Sequence, residues 1–361
     1  MARGSLSALD KALNKKYKEF DTTISKTGSQ EDDYMIVPTF SIGINQVLGN
    51  GGVPLGKLIL IKGPESSAKT AIGFSILASI QKNIGLSGKR DSDGDLIEKG
   101  NVALIDAERS YSRKWTEKMG VDTSEECFRF VHPPSGEIGL EFVEEMIRSG
   151  LYDAILVDSL NALMPTAMIE NDMGDATMGA QARMISKAYG RIVGLADTYK
   201  TTLISISQER NTMSAYEKPA LAGGKATRFY NHVILDIRRR EYLGSKENPT
   251  GIRSKIKGEK NKVSTPHKAC EVDLYYENGF DFTSDCINYA VNLGLIEKGG
   301  AWYTLQNGER FQGAKAVATY YKENIEEYNI LYKTVSNILS QTSSYDENIE
   351  EGEEDDRTEE D

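Results

Sequence analysis

The sequence predicts an α/β fold, with a mostly parallel sheet flanked by helices. From about residue 36 to residue 238, short apolar segments rich in Ile, Leu and Val alternate with segments of helical periodicity. Strands that are apolar on both faces and separated by crossover helices are typical of a parallel sheet. No apolar run approaches the roughly 20 residues that cross a bilayer. The 361 residues are enough for a large core and for smaller flanking domains.

The first predicted element is an amphipathic helix, which lies within residues 1–35. Its apolar residues are three or four positions apart and form one stripe with lysines opposite: Leu6, Leu9, Leu13, Tyr17 and Phe20. The polar stretch that follows is interpreted as a linker. Because the helix cannot bury its stripe against that linker, we expect it to pack on the main domain or on a neighbouring subunit.

The central domain is predicted to cover residues 36–269. Its predicted strands are residues 57–63, 101–108, 127–133, 153–159, 201–208 and 232–240. Its predicted helices are residues 69–83, 111–120, 136–149 and 179–198. A stretch rich in Gly, Asp and Lys, residues 85–100, is predicted to be a surface hairpin or loop.

The C-terminal part is predicted to be a small α+β domain over residues 270–340. Residues 252–283 alternate like strands, and residues 284–338 are mostly helical in pattern. Residues 341–361 are predicted to be an acidic, disordered tail. Within it, residues 343–361 hold eleven Asp or Glu and one Arg, so they account for nearly all of the net charge of −11.

The cysteines and histidines do not point to a metal site. The three cysteines lie far apart and have no metal-binding spacing: Cys127, Cys270 and Cys286. We predict that they are buried free thiols in a reducing compartment. With only three histidines in the chain, a histidine-based metal site is not favoured.

The main functional motif is "GPESSAKT", which joins a predicted strand to a predicted helix. It matches the phosphate-binding pattern G-x-x-x-x-G-K-[ST], except that alanine replaces the second glycine. Backbone N–H groups and the helix dipole favour phosphate at such a position. Lys69 is expected to reach the β- and γ-phosphates, and Thr70 to contact Mg²⁺. The predicted nucleotide-binding residues of this loop are Gly63, Pro64, Glu65, Ser66, Ser67, Ala68, Lys69 and Thr70.

Ala68 decides whether this loop is a working site or a damaged one. Glycine at this position avoids a Cβ near the phosphates and permits unusual dihedral angles. Because residue 68 directly precedes the helix, we expect near-helical dihedral angles and only a small steric cost. The sequence therefore predicts an active site, in which the extra methyl group affects the rate.

Polar side chains follow three other predicted strands. Asp158 ends one strand, where a carboxylate either lies beside the water shell of Mg²⁺ or caps a helix. Asp106 and Glu108 end another, and a carboxylate there can polarise the attacking water. Gln208 ends a third, where its amide can sense the γ-phosphate. Because ligands bind at the carboxyl edge of open α/β sheets, we expect these side chains to surround one nucleotide.

Beyond these motifs, the chain resembles the bacterial RecA recombinase family over roughly residues 5–340. Long segments without gaps carry the resemblance, among them "IDAERSYSRKWTEKMGVD", "GGKATRFYNHVILDIRRR", "KNKVSTPHKA" and "LGLIEKGGAWYTLQNGERFQGAKA". It implies a RecA-type P-loop ATPase core, an N-terminal polymerisation helix, and the use of ATP and Mg²⁺. It also implies an ATP-dependent recombinase that forms a helical filament on single-stranded DNA and exchanges strands with homologous duplex DNA. Single-strand-binding and loader proteins are further implied partners, in the cytoplasm of a bacterial or phage-infected cell.

The resemblance assigns roles around the nucleotide. Glu108 is the implied catalytic carboxylate, Gln208 the γ-phosphate sensor and Asp158 the aspartate on the Mg²⁺ side. Trp115 lies where the family stacks an aromatic side chain on adenine, with Ser112 nearby.

Two lysines are assigned to the neighbouring subunit's nucleotide. Lys260 and Lys262 match the pair that reaches across to that ATP, and Phe229 matches an aromatic residue of the same interface. Without the resemblance, a solvated strand face would be the favoured interpretation of these lysines. The implied catalytic set is Glu108, Lys69, Gln208, Lys260 and Lys262.

The implied DNA contacts lie in two loops, at about residues 170–178 and 209–222, and in the helices that follow. The residues that match DNA-binding positions are Met178, Gly179, Arg183, Ser186, Arg191, Arg210, Met213, Gly223, Gly224 and Lys225. Backbone amides and cations suit binding that does not depend on base sequence. The C-terminal domain is implied to meet duplex DNA, and the acidic tail to compete with it.

Several residues depart from the family pattern. Ala68 replaces glycine, Ser207 replaces an amide, Glu209 replaces an apolar residue and Ile234 replaces an interface arginine. The second DNA loop is slightly short, and residues 85–100 are an insertion. These departures indicate a diverged member, and a phage origin fits them. They bear on the coupling of DNA binding to hydrolysis more than on the activity itself.

Two other classes of function stay open at the level of sequence. One is an ATP-binding, filament-forming DNA-binding protein with little hydrolysis, supported by Ala68 and the surroundings of Gln208. The other is a helicase-like motor with the same core, against which the N-terminal helix and the Lys260 and Lys262 pair argue.

Overall fold

The computed structural model describes residues 34–170, 179–209, 221–245 and 247–350. The predicted N-terminal helix and its linker up to residue 33 lie outside the described residues, as do Met178, Arg210 and Met213. Within the described part of the chain, no helix is long and apolar enough to span a membrane.

One mixed sheet of nine strands forms the centre of the fold. A short antiparallel pair precedes it, made of β1 (Ile36–Val37) and β2 (Val53–Pro54). The nine strands are β3 (Leu58–Gly63), β4 (Val102–Asp106), β5 (Phe128–Val131), β6 (Ala154–Asp158), β7 (Thr202–Gln208), β8 (Val233–Gly244), β9 (Pro249–Asn261), β10 (Ala269–Tyr275) and β11 (Gly279–Phe280). Their order across the sheet is β11-β10-β9-β8-β3-β7-β6-β4-β5.

The strands from β8 to β5 in this order are parallel, and β9, β10 and β11 extend the sheet in antiparallel fashion. The predicted mostly parallel sheet is therefore confirmed. The register pairs Gly63 with Gln208 and Asp106 with Asp158. The strands that carry the predicted site residues thus end at one edge of the sheet.

The helices connect these strands in the predicted order. In the central part they are α1 (Ile42–Leu48), α2 (Lys69–Asn83), α3 (Arg113–Lys118), α4 (Gly136–Arg148), α5 (Thr166–Glu170), α6 (Ala180–Tyr199) and α7 (Gly224–Tyr230). Helix α2 has the predicted bounds, and α4 begins where the Ser135 hydroxyl accepts a hydrogen bond from the Ile138 N–H. The predicted hairpin at residues 85–100 is confirmed by a bridge between Arg90 and Leu96.

The main core lies between the sheet and the helices α4 and α6. Leu140, Ile155 and Ile192 are representative of its buried side chains. Tyr189 is fully buried, and its hydroxyl donates a 2.7 Å hydrogen bond to Ser205 Oγ on β7. This bond satisfies the one polar atom that Tyr189 brings into the core.

The C-terminal region forms a second core. Its elements are α8 (Phe282–Asn292), β12 (Glu297–Gly299), β13 (Trp302–Thr304), β14 (Arg310–Gln312), α9 (Ala314–Glu323) and α10 (Ile325–Glu350). Buried side chains such as Ile287, Val317 and Val335 pack together there.

The main sheet extends past the domain limit predicted at residue 270. Strands β10 and β11 belong to the nine-stranded sheet, so the limit is too early for the sheet. Strand alternation shows that a segment is extended, but it does not show which sheet the segment joins. Helix α10 ends at Glu350, inside the segment predicted as the acidic tail, and residues 351–361 lie outside the described residues. The three cysteines are buried free thiols, as predicted.

A buried carboxylate links α8 to α1. Asp285 Oδ2 accepts hydrogen bonds from Ser41 Oγ at 2.7 Å and from the Gly43 N–H at 3.2 Å. Burial raises the pKa of Asp285 to about 6, although these hydrogen bonds oppose the shift. Between about pH 4 and pH 6, Asp285 is therefore protonated in the folded protein and ionised in the unfolded chain.

We predict that Asp285 makes the free energy of unfolding fall as the pH rises from about 4 to about 6. A carboxyl group with a raised pKa in the folded state costs stability once the unfolded chain can ionise. Asp285→Asn should remove this loss, so its stability relative to wild type should rise by about 3 kcal/mol over this range. Urea denaturation at several pH values measures the difference. The exposed Asp93→Asn is the control, and a difference for Asp285→Asn that is independent of pH would contradict the prediction.

Candidate functional site

The predicted nucleotide residues surround one cleft at the carboxyl edge of the sheet. The cleft has a volume of about 300 Å³. It is lined by Glu65, Ser66, Ser67, Ala68, Lys69, Thr70, Ala71, Glu108, Trp115, Asp158, Ile206, Gln208 and Leu274. The structure thus brings together the loop, two carboxylates, the amide and the aromatic residue that the sequence placed on separate elements.

The loop between β3 and α2 has the geometry of a phosphate cradle. Gly63 has φ 153°, and a Cβ there would lie 2.2 Å from the Ile237 carbonyl oxygen, so only glycine fits. Ser67 Oγ donates a 2.8 Å hydrogen bond to the Pro64 carbonyl, which closes the loop on itself. The chain then enters α2 at Lys69. The first N–H groups of α2 have no partner within the helix and can bind phosphate oxygens.

Lys69 is held inside this loop. Its side chain is buried, and Nζ donates a 2.6 Å hydrogen bond to the Pro64 carbonyl. Burial lowers the pKa of Lys69, and the nearby carboxylates of Asp158 and Glu108 oppose that shift. Burial disfavours the charged form of Lys69, and a nearby negative charge offsets this effect. A phosphate group in the cleft would supply that charge.

The expectation for Ala68 is wrong. Ala68 has φ 74° and ψ 20°, which is left-handed and not near-helical. A side chain in this region costs about 1–2 kcal/mol, because its Cβ approaches the following carbonyl oxygen. The loop therefore imposes this conformation although the residue opposes it. The sequence shows only that alanine replaces glycine. The free-energy cost of the alanine depends on the backbone dihedral angles at residue 68, which the motif does not give.

Thr70 and Asp158 form the oxygen pair expected beside Mg²⁺. Thr70 Oγ1 donates a 2.8 Å hydrogen bond to Asp158 Oδ2. Burial raises the pKa of Asp158 to about 7, and the charges of Glu108 and Asp106 add to the shift, while the Thr70 hydroxyl opposes it. A hydroxyl and a buried carboxylate are hard oxygen donors, and a divalent cation would relieve the charge that raises this pKa. The residues therefore fit Mg²⁺.

The predicted catalytic carboxylate and the predicted sensor are in contact. Glu108 Oε1 accepts hydrogen bonds from Ser159 Oγ at 2.5 Å and from Gln208 Nε2 at 3.2 Å. The Gln208 amide thus lies against the group that would activate water.

Sequence reasoning missed Asn161. Asn161 Oδ1 accepts a 2.7 Å hydrogen bond from the Gln208 N–H, and Asn161 Nδ2 donates a 3.1 Å hydrogen bond to the Gln208 carbonyl. The same Oδ1 accepts a 3.2 Å bond from Ser207 Oγ. Asn161 therefore fixes the main chain at the sensor. The only signal in the sequence is an amide three residues beyond Asp158, which has no meaning until β6 and β7 are known to be neighbours.

Trp115 and Ser112 have different places. Trp115 lines the cleft, and Lys118 Nζ lies 5.6 Å from the centre of its ring. Ser112 is the N-cap of α3, where its Oγ accepts a hydrogen bond from the Trp115 N–H. Ser112 therefore holds the helix that presents Trp115, and it is not among the residues that line the cleft.

Lys260 has local partners that the sequence did not suggest. Its Nζ donates hydrogen bonds to the carbonyls of Arg228, Phe229 and Asn231, at 2.5, 3.1 and 2.7 Å. These carbonyls close the C-terminal end of α7, so Lys260 stabilises that helix within its own chain. Lys262 Nζ lies 5.4 Å from the centre of the Phe229 ring. Phe229 is 67% exposed. Neither lysine is among the residues that line the cleft of its own chain.

The described DNA-binding candidates lie at two helix N-termini. Gly179 and Gly223 are the N-caps of α6 and α7, with φ 75° and φ 78°, and neither helix has a side-chain cap. Gly224 and Lys225 are exposed at the start of α7, and Arg183 and Ser186 lie on the first turns of α6. At α7 the Gly224 N–H donates a 3.0 Å hydrogen bond to the Leu221 carbonyl, so phosphate binding there would use the other N–H groups of the first turn.

Arg191 is engaged elsewhere. Its guanidinium makes a 2.6 Å ion pair with Glu144 on α4, so the structure gives it a partner within the chain.

A phosphate-binding loop with two carboxylates, an amide and an indole at one edge of a parallel sheet is the arrangement of a P-loop nucleotide-binding protein. Family models extend this assignment over most of the chain. The RecA N-terminal domain matches residues 7–281, and the RecA C-terminal domain matches residues 284–340. The chain belongs to the RecA family.

Relatives named "Protein RecA" agree with this assignment. That of Campylobacter lari is 39% identical over 326 residues, which cover 89% of each chain. That of Campylobacter jejuni (strain 81-176) is 37% identical over 341 residues, with 93% of this chain and 94% of the relative covered. That of a Nocardioides species is 35% identical over 348 residues, or 95% of each chain. Membership makes ATP-dependent recombination and repair the function of the chain, and it favours neither of the two alternative classes.

We predict that Ala68→Gly stabilises the protein. Relief of the left-handed strain exceeds the extra entropy that glycine gives the unfolded chain, so the gain should be about 0.5–1 kcal/mol. Chemical denaturation measures it. Ala78→Gly in the middle of the same helix is the control and should destabilise by about 1 kcal/mol. Two losses of similar size would contradict the strain at residue 68.

We predict that Asn161→Ala impairs the response to DNA more than nucleotide binding. Loss of two hydrogen bonds, each worth about 1 kcal/mol, frees the Gln208 main chain, so turnover with single-stranded DNA should fall about tenfold or more. Steady-state kinetics with and without DNA test this, together with ATP affinity. A variant that only loses thermal stability would contradict a positioning role.

Proposed function

We propose that this chain forms a filament on single-stranded DNA, pairs it with homologous duplex DNA, and exchanges strands in a reaction controlled by ATP. The observation that supports this most directly is the hydrogen bond between Glu108 and Gln208 beside the phosphate loop. It joins the group that would activate water to a residue at the start of a DNA-binding loop. We also propose that hydrolysis depends on DNA, and that the protein works in the cytoplasm.

The nucleotide would lie along the loop with its phosphates on the N-terminus of α2. Lys69 would neutralise phosphate charge, and Trp115 would stack on the base. Thr70, and Asp158 through water, would hold Mg²⁺, which supplies positive charge to the phosphate oxygens. These roles use groups that already line one cleft.

Glu108 would act as the general base for the attacking water, since its carboxylate is held by Ser159 at the cleft. In the described structure, the Gln208 amide donates to Glu108. A γ-phosphate competes for the same amide, because its oxygens carry more charge. Transfer of this hydrogen bond would signal bound ATP to the chain beyond Gln208 and leave Glu108 available to water.

The DNA phosphates would be bound by the N-termini of α6 and α7. Lys225, Gly223 and Gly224 at α7, and Gly179 and Arg183 at α6, supply N–H groups and cations for contacts that do not depend on sequence. Lys260 and Lys262 would complete the active site of the neighbouring copy, so that hydrolysis requires a filament. Contacts with single-strand-binding and loader proteins belong to the same proposal.

We predict that joint-molecule formation between single-stranded DNA and homologous duplex requires ATP and is lost in Lys69→Ala. A poorly hydrolysed ATP analogue should support pairing, because pairing needs the bound state. Gel analysis of joint molecules measures the outcome.

Lys82→Ala, at the exposed end of the same helix, is the matched control and should pair DNA as the wild type does. Pairing by the wild type without nucleotide, or pairing by Lys69→Ala at the wild-type level, would contradict the proposed function.

A further inference from the structure

Three cations and three carboxylates form a charge network beneath the phosphate loop. Its members are Lys62, Glu209, Arg228, Asp236, Arg238 and Glu259. Lys62 is at its centre, with Nζ 2.7 Å from Glu209 Oε1, 2.7 Å from Glu259 Oε2 and 3.6 Å from Asp236 Oδ1. The charges balance, and no member stands outside the ion pairs.

The centre of this charge network is withdrawn from water. The side chains of Lys62 and Glu209 are 4% and 5% exposed. Burial opposes the charge on Lys62, but hydrogen bonds to Glu209 and Glu259 outweigh it, so the pKa of Lys62 is raised. Glu209 is held at both oxygens, since Arg238 lies 2.5 Å from Oε2. Removal of one partner from such a site leaves a buried charge without compensation, which is strongly unfavourable.

Two members of the charge network are adjacent in sequence to proposed nucleotide-site residues. Lys62 directly precedes Gly63 of the phosphate loop, and Glu209 directly follows the sensor Gln208. The Glu209 N–H also donates a 3.2 Å hydrogen bond to the Gly63 carbonyl. The DNA loop therefore starts from a residue that is bonded to the phosphate loop by both main chain and side chain.

Helix α7 is joined to the same charge network. Arg228 lies on α7, which follows the loop, and it pairs with Glu259. Glu259 directly precedes Lys260, and Lys260 closes the end of α7. Glu209 and helix α7 thus join one charge network around Lys62, and residues 210–220, which connect them in sequence, lie outside the described residues.

We propose that Lys62 and Glu209 are positioning residues that couple the nucleotide site to the DNA loop and to α7. This inference rests on the proposed function. A change at Gly63 or Gln208 on ATP binding cannot leave Glu209 behind without breaking a buried ion pair. The charge network therefore shifts as a unit and carries the change to Arg228 and α7. Glu209 departs from the family pattern, which is apolar at this position. In this proposal its ion pair with Lys62 provides the coupling between DNA binding and hydrolysis.

The variants separate coupling from folding. Glu209→Gln removes one charge and leaves Lys62 short of a partner. Lys62→Met/Glu209→Leu removes one cation and one anion, and it keeps the Arg228–Glu259 and Arg238–Asp236 pairs. The double variant should therefore regain the melting temperature that Glu209→Gln loses.

Two measurements test the proposal on these variants. The first is the ratio of ATP turnover with and without single-stranded DNA, which should fall about fivefold or more in both variants. The second is hydrogen exchange in the α7 peptide with and without ATP, in the absence of DNA. Wild type should show protection of α7 by ATP, and both variants should lose it while they still bind ATP.

Lys57→Met is the matched control. Lys57 directly precedes β3, at the opposite end of the strand from Lys62. Its Nζ lies 2.9 Å from Asp197 Oδ1. This variant should keep the wild-type turnover ratio and the wild-type protection of α7.

A double variant with wild-type DNA stimulation and wild-type protection of α7 would overturn the proposal. If ATP does not protect α7 in the wild type, the proposal also fails, whatever the pairing assay shows. If the wild type protects α7 but fails to pair DNA, the proposed function fails and the exchange measurement on the double variant still decides this inference.

Discussion

The parallel register of β3, β4, β6 and β7 is the constraint on which the site depends. Because these strands are neighbours and run in one direction, their carboxyl ends meet at one edge. That edge brings the phosphate loop, Glu108, Asp158 and Gln208 into a cleft of about 300 Å³. None of these groups is close to another in sequence except within the loop. The chemistry is thus a property of the sheet order, and the helices serve to hold that order.

Electrostatics make this cleft responsive to a ligand. Burial raises the pKa of Asp158, and the charges of Glu108 and Asp106 add to the shift while the Lys69 ammonium group opposes it. Bound phosphate and Mg²⁺ would add charge of both signs, and in the proposed mechanism they would change the partners of Lys69 and Gln208. The charge network below the loop is balanced, and the proposed coupling depends on its ion pairs staying intact when nucleotide binds.

The sequence predicted the sheet and the bounds of α2, because apolar periodicity is a local signal. Polar residues at strand ends predicted that Glu108, Asp158 and Gln208 share a cleft with the loop, but the predicted Gly63, Pro64 and Ser112 do not line it. It did not predict the left-handed conformation of Ala68, because the motif does not show the direction in which the chain enters α2. It also missed Asn161 and the local hydrogen bonds of Lys260, since both depend on which strands and helices are neighbours. Likewise Glu209 is a departure in sequence, and it becomes a partner only when Lys62 and Arg238 lie beside it.

The central claim is a nucleotide site that one chain builds and the next chain completes. The most direct measurement is ATP turnover with single-stranded DNA by mixed protomers of Lys69→Ala and Lys262→Ala. Lys262 is the better choice than Lys260, because Lys260 also stabilises α7 in its own chain. Each variant alone should be inactive, and the mixture should regain turnover wherever an intact loop meets an intact lysine. A mixture no more active than its two components would contradict the shared site.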